Sequence, residues 1–170
     1  HGTRPFWLYF GNNQFNKDEI ILEEMHKAYD AGVRVLSVNV GMPEATSPEK
    51  IRATLDYFFE PFPDALILLR VWLGPSGAWY KKHPEERFTY ADGSTTDMAS
   101  PASKAWHRYA DRNLRELLDL IADSPYADRF IGLIPLYYLT GEWQMWHPEK
   151  SGGYSAPMTR AFREWTRETY

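Results

Sequence analysis

The feature that most constrains this chain is an alternation. Four times in succession a short apolar run gives way to a longer stretch of helical periodicity. The runs are Phe6 to Phe10 (FWLYF), Val33 to Val40 (VRVLSVNV), Ala65 to Leu73 (ALILLRVWL) and Phe130 to Leu136 (FIGLIPL). They are short, β-branched or aromatic, and bounded by Gly, Pro and Asn, so they read as strands. The third is apolar almost throughout, the mark of a strand covered on both faces.

The intervening stretches carry helix signals. Asn16 with Glu19 reads as an N-cap and its capping-box partner, followed by Ile21, Leu22, Met25, Ala28 and Tyr29 on one face and Gly32 as the stop. Ser47-Pro48 opens a second helix, with Ile51, Leu55, Phe58 and Phe59 aligned. Ser100-Pro101 repeats that signal ahead of Trp106, Ala110, Leu114, Leu117, Leu118 and Ile121. Ser155 or Ala156 opens a fourth helix along Met158, Phe162 and Trp165, which is expected still to be running at Tyr170. Gly74 to about Ser100 reads as a long polar and aromatic loop.

Strand and helix in series, with no linker and no low-complexity segment, mean a parallel sheet with helices outside it, either doubly wound or closed as a barrel. Gly11-Asn12-Asn13-Gln14 after the first strand lacks the G-x-G-x-x-G spacing of a dinucleotide site. The expectation is therefore an α/β fold: the N-terminal half, four βα units, of a TIM (β/α)8 barrel. Because a complete barrel takes about 250 residues, residues 1–170 are expected to form one partial domain, cut within its fourth helix.

Nineteen basic and 23 acidic side chains give a net charge of -4 with no basic stripe, so neither nucleic acid nor an anionic membrane is an expected partner. No apolar run approaches the roughly 20 residues of a membrane span. With no cysteine there is no disulfide framework, and the compartment stays open. His83, His107 and His147 have no metal-ligand spacing, and neither metal nor cofactor is expected. Aromatic residues make up 16% of the chain, with seven Trp and eleven Tyr. Such rings fill cores and also stack on sugars.

In a barrel the C-terminal ends of all strands share the face that holds active sites. Here those ends bring Asn12, Asn13 and Gln14; then Asn39; then Arg70 and Trp72, with Trp79, Tyr80, His83 and Glu85 in the following loop; and finally Glu142, Trp143 and Trp146. Amides hydrogen-bond hydroxyls, rings stack on pyranose faces, and a carboxyl group shielded from water keeps its proton for a leaving oxygen. Each residue also has a structural reading: Glu142 as a loop acid, Trp79 and Tyr80 as loop walls, His83 as a hydrogen-bonding strut. Arg70, inside an apolar run, needs acceptors from either a structural carboxylate layer or a substrate network.

Gly74-Pro75, Trp79, His83-Pro84-Glu85, Asp92-Gly93, Ser100-Pro101 and Glu142 occur in an order that resembles glycoside hydrolase clan A, especially family 42 β-galactosidases, between their third and fourth strands. Ser155-Ala156-Pro157-Met158 is similar to the opening of that family's fourth helix. The resemblance implies a β-galactosidase-like retaining hydrolase acting on a carbohydrate, with Glu142 as general acid/base, Asn12, Asn39, Arg70, Trp72, Trp79, His83, Trp143 and Trp146 around the substrate, and the nucleophile after a seventh strand beyond Tyr170. Gly141 stands where the clan usually has Asn, and Ser94-Thr95-Thr96 replaces an Arg-rich segment. A barrel that binds carbohydrate without cleaving it is the alternative. A half-barrel is also expected to pair with its missing C-terminal half or with itself.

Overall fold

The computed structural model describes residues 8–12, 16–137 and 150–170. It contains two compact units, one formed by residues 1–72 and 117–135 and the other by residues 73–116 and 136–170.

The first unit is a largely parallel sheet with helices. Strand β1 (Leu8–Phe10) pairs in parallel with β2 (Val35–Ser37), β2 with β4 (Leu66–Trp72), and β3 (Asn39–Gly41) with the later part of β4. β7 (Phe130–Leu136) pairs with β4 as well. The second apolar run is thus divided into β2 and β3 at Val38, whose carbonyl still accepts from the Arg70 N–H at 2.9 Å. Taking β2 and β3 as one extended run, the neighbours follow chain order: β1, β2 with β3, β4, β7.

The alternation of side chains separates two faces. Leu36, Val38, Val40, Ile67, Leu69 and Val71 are all buried. They belong to the same core as Ile21 and Met25 of α1 (Asp18–Asp30) and Ile51, Leu55, Phe58 and Phe59 of α3 (Pro48–Phe59), also buried. Each such side chain contributes roughly 1.5–3 kcal/mol by leaving water. The opposite parity of β4, Leu68, Arg70 and Trp72, is only half-buried. The expectation that this strand is covered on both faces is therefore corrected: one face is closed and the other partly open.

Local signals explain the helix limits. Gly32, with φ of 95°, ends α1 in a Schellman motif, its N–H donating to Tyr29 O and that of Val33 to Ala28 O. The start differs from the capping-box reading. Lys17 is the N-cap, without a side-chain bond, and the Asn16 amide instead donates to Asn12 O at 3.2 Å. Ser47 caps α3 as expected, accepting from Lys50 N, with Pro48 in the first turn. A short helix, α2 (Pro43–Thr46), precedes it.

In the second unit, the stretch from Gly74 to about Ser100 that reads as loop in the sequence forms short elements. Ser76 caps α4 (Gly77–Lys82) by accepting from Trp79 N at 3.3 Å. A 3-10 turn at Pro84–Glu86 leads into an antiparallel hairpin of β5 (Arg87–Thr89) and β6 (Thr95–Ala99). Asp92-Gly93 makes its turn: Asp92 Oδ1 accepts from Ser94 N at 2.8 Å, and Gly93 takes φ of 80°. α5 (Lys104–Ala122) starts three residues later than Ser100-Pro101 implies, because Ser103 is the residue whose hydroxyl accepts from Trp106 N, at 2.9 Å. Ser100 is committed elsewhere, accepting from the buried Ser155 hydroxyl at 2.7 Å. Ser155 is the N-cap residue of α6 (Ala156–Thr169). α5 and β7 pass from one unit into the other.

Candidate functional site

The sheet register gathers the polar strand-end residues of the first unit. Asn39 pairs with Arg70 and Gly41 with Trp72. Parallel partners project to the same side, so Asn39, Arg70 and Trp72 share the half-open face. The guanidinium of Arg70 reaches over the Phe10 ring, 5.6 Å from its centroid. Asn12 follows β1, beyond Gly11, whose N–H donates to Ser37 O at 2.6 Å. Four of the expected residues, Asn12, Asn39, Arg70 and Trp72, are therefore residues of one sheet's C-terminal strand ends.

The electrostatics are those of a partly dry cationic face. Desolvation holds the Arg70 pKa below the usual guanidinium value, and the group stays charged at neutral pH. No carboxylate forms an ion pair with it among the described residues. Two buried polar atoms, Asn12 Oδ1 and Ser37 Oγ, have no hydrogen-bond partner among the described residues. Buried polar atoms are nearly always paired, by protein, water or ligand. Ser37 and Phe10 were not singled out in the sequence, although the alternation that selects Asn39 also selects Ser37.

Beside this face, the end of β3 opens onto a cavity of about 240 Å³ lined by Asp18, Asn39, Gly41, Thr46, Lys50 and Thr54. Gly41 is required by close packing: a Cβ there would lie 1.9 Å from Thr46 Oγ1.

Trp79 and His83 lie in the second unit. The Trp79 ring is buried and packs against His83 at 4.6 Å, Tyr80 at 5.3 Å and Tyr109 at 5.9 Å. It is a core residue of that unit, which favours the loop-wall reading over contact with a ligand. Tyr80 is buried too and carries the Arg87 guanidinium 4.6 Å from its ring centroid. Burial raises the Tyr80 pKa. Glu85 is exposed, whereas its neighbour Glu86 is buried, which the sequence reading did not separate. Glu142, Trp143 and Trp146, together with Asn13 and Gln14, lie outside the described residues.

No protein-family model and no curated protein matches this chain. The functional reading therefore rests on its own residues. Among the described residues no group of three or more His, Asp or Glu side chains is placed to hold a metal ion, and no helix there is long and apolar enough to cross a membrane.

Proposed function

We propose that the chain is the N-terminal half of a (β/α)8 barrel of glycoside hydrolase type, β-galactosidase-like, with Glu142 as the general acid/base of a retaining reaction. The observation that carries the reading is the sheet order. Its strands neighbour one another in chain order, without the reversal that marks a doubly wound sheet. That order aligns Asn39, Arg70 and Trp72 on one face at the strand ends, where a barrel keeps its ligand. An amide and a guanidinium offer donors and an acceptor to sugar hydroxyls, and an indole offers a stacking surface. Retaining hydrolysis needs two carboxyl groups about 5–5.5 Å apart, and the second is proposed to follow a later strand of a longer protein.

A binding module without catalysis is the second reading. It is favoured by the composition of the described strand ends, which carry amides, a cation and rings and no carboxylate. Leaving-group dependence separates the two. In a protein carrying both carboxylates, Glu142→Gln should slow aryl galactosides with poor leaving groups far more than those with good ones, because good leaving groups need little protonation. The 170-residue chain alone should be inactive. Equal slowing of both substrate types, or hydrolysis by the isolated chain, would remove Glu142 from the acid role. Galactoside binding without any turnover in the longer protein would establish the binding module.

A further inference from the structure

Three arginines among the described residues are half-buried: Arg70, Arg87 and Arg129. Two of them are held by protein acceptors. Arg87 pairs with Asp97 and donates to Thr96 O at 3.2 Å, and Arg129 donates to Phe59 O, Phe62 O and Ala65 O. Arg70 has no such acceptor among the described residues. Its guanidinium reaches across the intervening strand β2 to the Phe10 ring of β1, 5.6 Å from the centroid. A ring face attracts the cation but takes up little of its hydrogen-bonding capacity.

The surroundings leave the charge unanswered. Among the residues of this sheet's strands Arg70 is the only charged side chain, and no carboxylate occurs. Phe10 is half exposed, and Trp72, two residues along β4 on the same face, is half-buried. A single cation, partly drawn out of water, thus shares its face with two reachable rings.

What satisfies it must bring acceptors in. Polar groups drawn out of water are paired by protein, water or ligand, and the planar fork of a guanidinium matches a planar carboxylate with two parallel bonds. One positive charge fits one negative charge. A phosphate ester carries nearly two, and nothing on the strands would meet the second. The rings ask the rest of the molecule for a flat, half-apolar face, as a pyranose has.

We propose that the substrate at these strand ends is an acidic sugar, a galactoside whose C6 is a carboxylate, and that Arg70 holds that carboxylate. The inference rests on the glycoside hydrolase reading of the same site and narrows its substrate class. A neutral galactoside offers the guanidinium only uncharged acceptors, which make bonds about half as strong.

The test is a two-dimensional NMR titration of the 170-residue chain with methyl β-D-galactopyranosiduronic acid, ionised at neutral pH. Its methyl ester, which keeps the shape and loses the charge, methyl β-D-galactopyranoside, and acetate, which keeps only the charge, serve as controls. The galacturonide should bind saturably, shift the backbone amides of Phe10, Arg70 and Trp72, and bind at least about tenfold more tightly than each control, the value of one charge-assisted contact. Arg70→Gln should weaken it at least about tenfold with the melting temperature kept, because no protein acceptor is left unpaired. A purely structural Arg70 would show the reverse, lost stability. The ester comparison uses the unaltered chain and reads the charge dependence whether or not the variant folds. The proposal is overturned if the galacturonide does not saturate up to about 10 mM, if any control binds as well, or if Arg70→Gln leaves its binding intact. Such a result strikes the acidic substrate alone where the Glu142→Gln leaving-group dependence holds in the longer protein, and absence of that dependence strikes the hydrolase reading beneath it.

Discussion

Asn39 on β3 stands level with Arg70 on β4, and the two side chains share the sheet face that also carries Trp72. Arg70 is half-buried, its pKa lowered by desolvation, and no carboxylate forms an ion pair with it among the described residues. Such a cation is retained at some cost to folding. Arg70→Met should therefore change stability by no more than about 1 kcal/mol, far less than removal of a residue holding buried acceptors, while abolishing any affinity for galactosides. Thermal unfolding and ligand titration check the two halves separately. A large loss of stability would mean that the guanidinium satisfies buried acceptors after all.

Arg129 makes the opposite case. Its guanidinium donates to three carbonyls beyond or within the last turn of α3: Phe62 O, Ala65 O at 3.3 Å and Phe59 O at 3.3 Å. They lie at and just past the C-terminal end of α3, where a cation complements the helix dipole. Phe59 O and Phe62 O also accept from the N–H groups of Phe62 and Ala65, so Arg129→Met should cost about 1.5–3 kcal/mol, the value of the charge-assisted bonds alone. Arg129→Lys should recover only part, because an ammonium cannot span all three as a planar fork does. Chemical denaturation measures both, and full rescue by Lys would show that charge alone matters.

Gly41 is defined by space rather than by backbone angle. Gly41→Ala would drive a Cβ into Thr46 Oγ1, an overpacking cost of about 1–3 kcal/mol. The Thr46 Cβ would remain at 3.0 Å after the hydroxyl is removed, so Gly41→Ala with Thr46→Ala should restore part of the loss. A double variant no more stable than Gly41→Ala would place the obstruction elsewhere.

Asp92 anchors the hairpin turn. Hydrogen bonds from Ser94, with Lys150 at 3.1 Å, hold its carboxyl at a pKa of about 2. A folded-state pKa below the unfolded one means stability that is complete above about pH 4 and lost as pH falls toward 2. The hairpin should loosen over that interval before the rest of the second unit does. A ¹³C carboxyl titration gives the midpoint directly. A value near 4 would show that the turn's bonds do not persist in solution.

The parts of the fold visible in the sequence are those written by periodicity and local caps. The apolar runs around Leu36, Ile67 and Leu69 read as strands, Ser47-Pro48 caps a helix, and Gly32 stops one. The region from 74 to 100 was not visible as structure because its elements are short. α4 has only six residues and β5 three, too few to generate a period, although Asp92-Gly93 between FTY and STTDM is a hairpin signal. Ser100-Pro101 looked like a cap because the pattern cannot reveal that the Ser100 hydroxyl already accepts from Ser155, 55 residues away. At the strand ends Asn39 and Arg70 were legible as polar interruptions of apolar runs. Glu86 was not, since nothing distinguishes it from Glu85 until the chain turns and buries one of them.

Exposed rings on α6 and an exposed sheet strand bear on how the chain behaves in solution. On α6, Phe162 and Trp165 are 63% and 51% exposed, with ring centroids 5.9 Å apart and the planes tilted by 35°. In the first unit, Ile131 on β7 is 48% exposed, as is Phe10 on β1 at 49%. Within each unit, exposed apolar side chains favour being covered by another surface. For the purified 170-residue chain the only available partner is a second copy. Sedimentation at micromolar concentration should show reversible self-association that weakens with dilution. Phe162→Glu with Trp165→Glu should shift the equilibrium toward monomer without lowering the melting temperature measured under dilute conditions, because neither ring belongs to the buried core. A monodisperse monomer with a sharp thermal transition at the same concentration would show that these surfaces are tolerated in water.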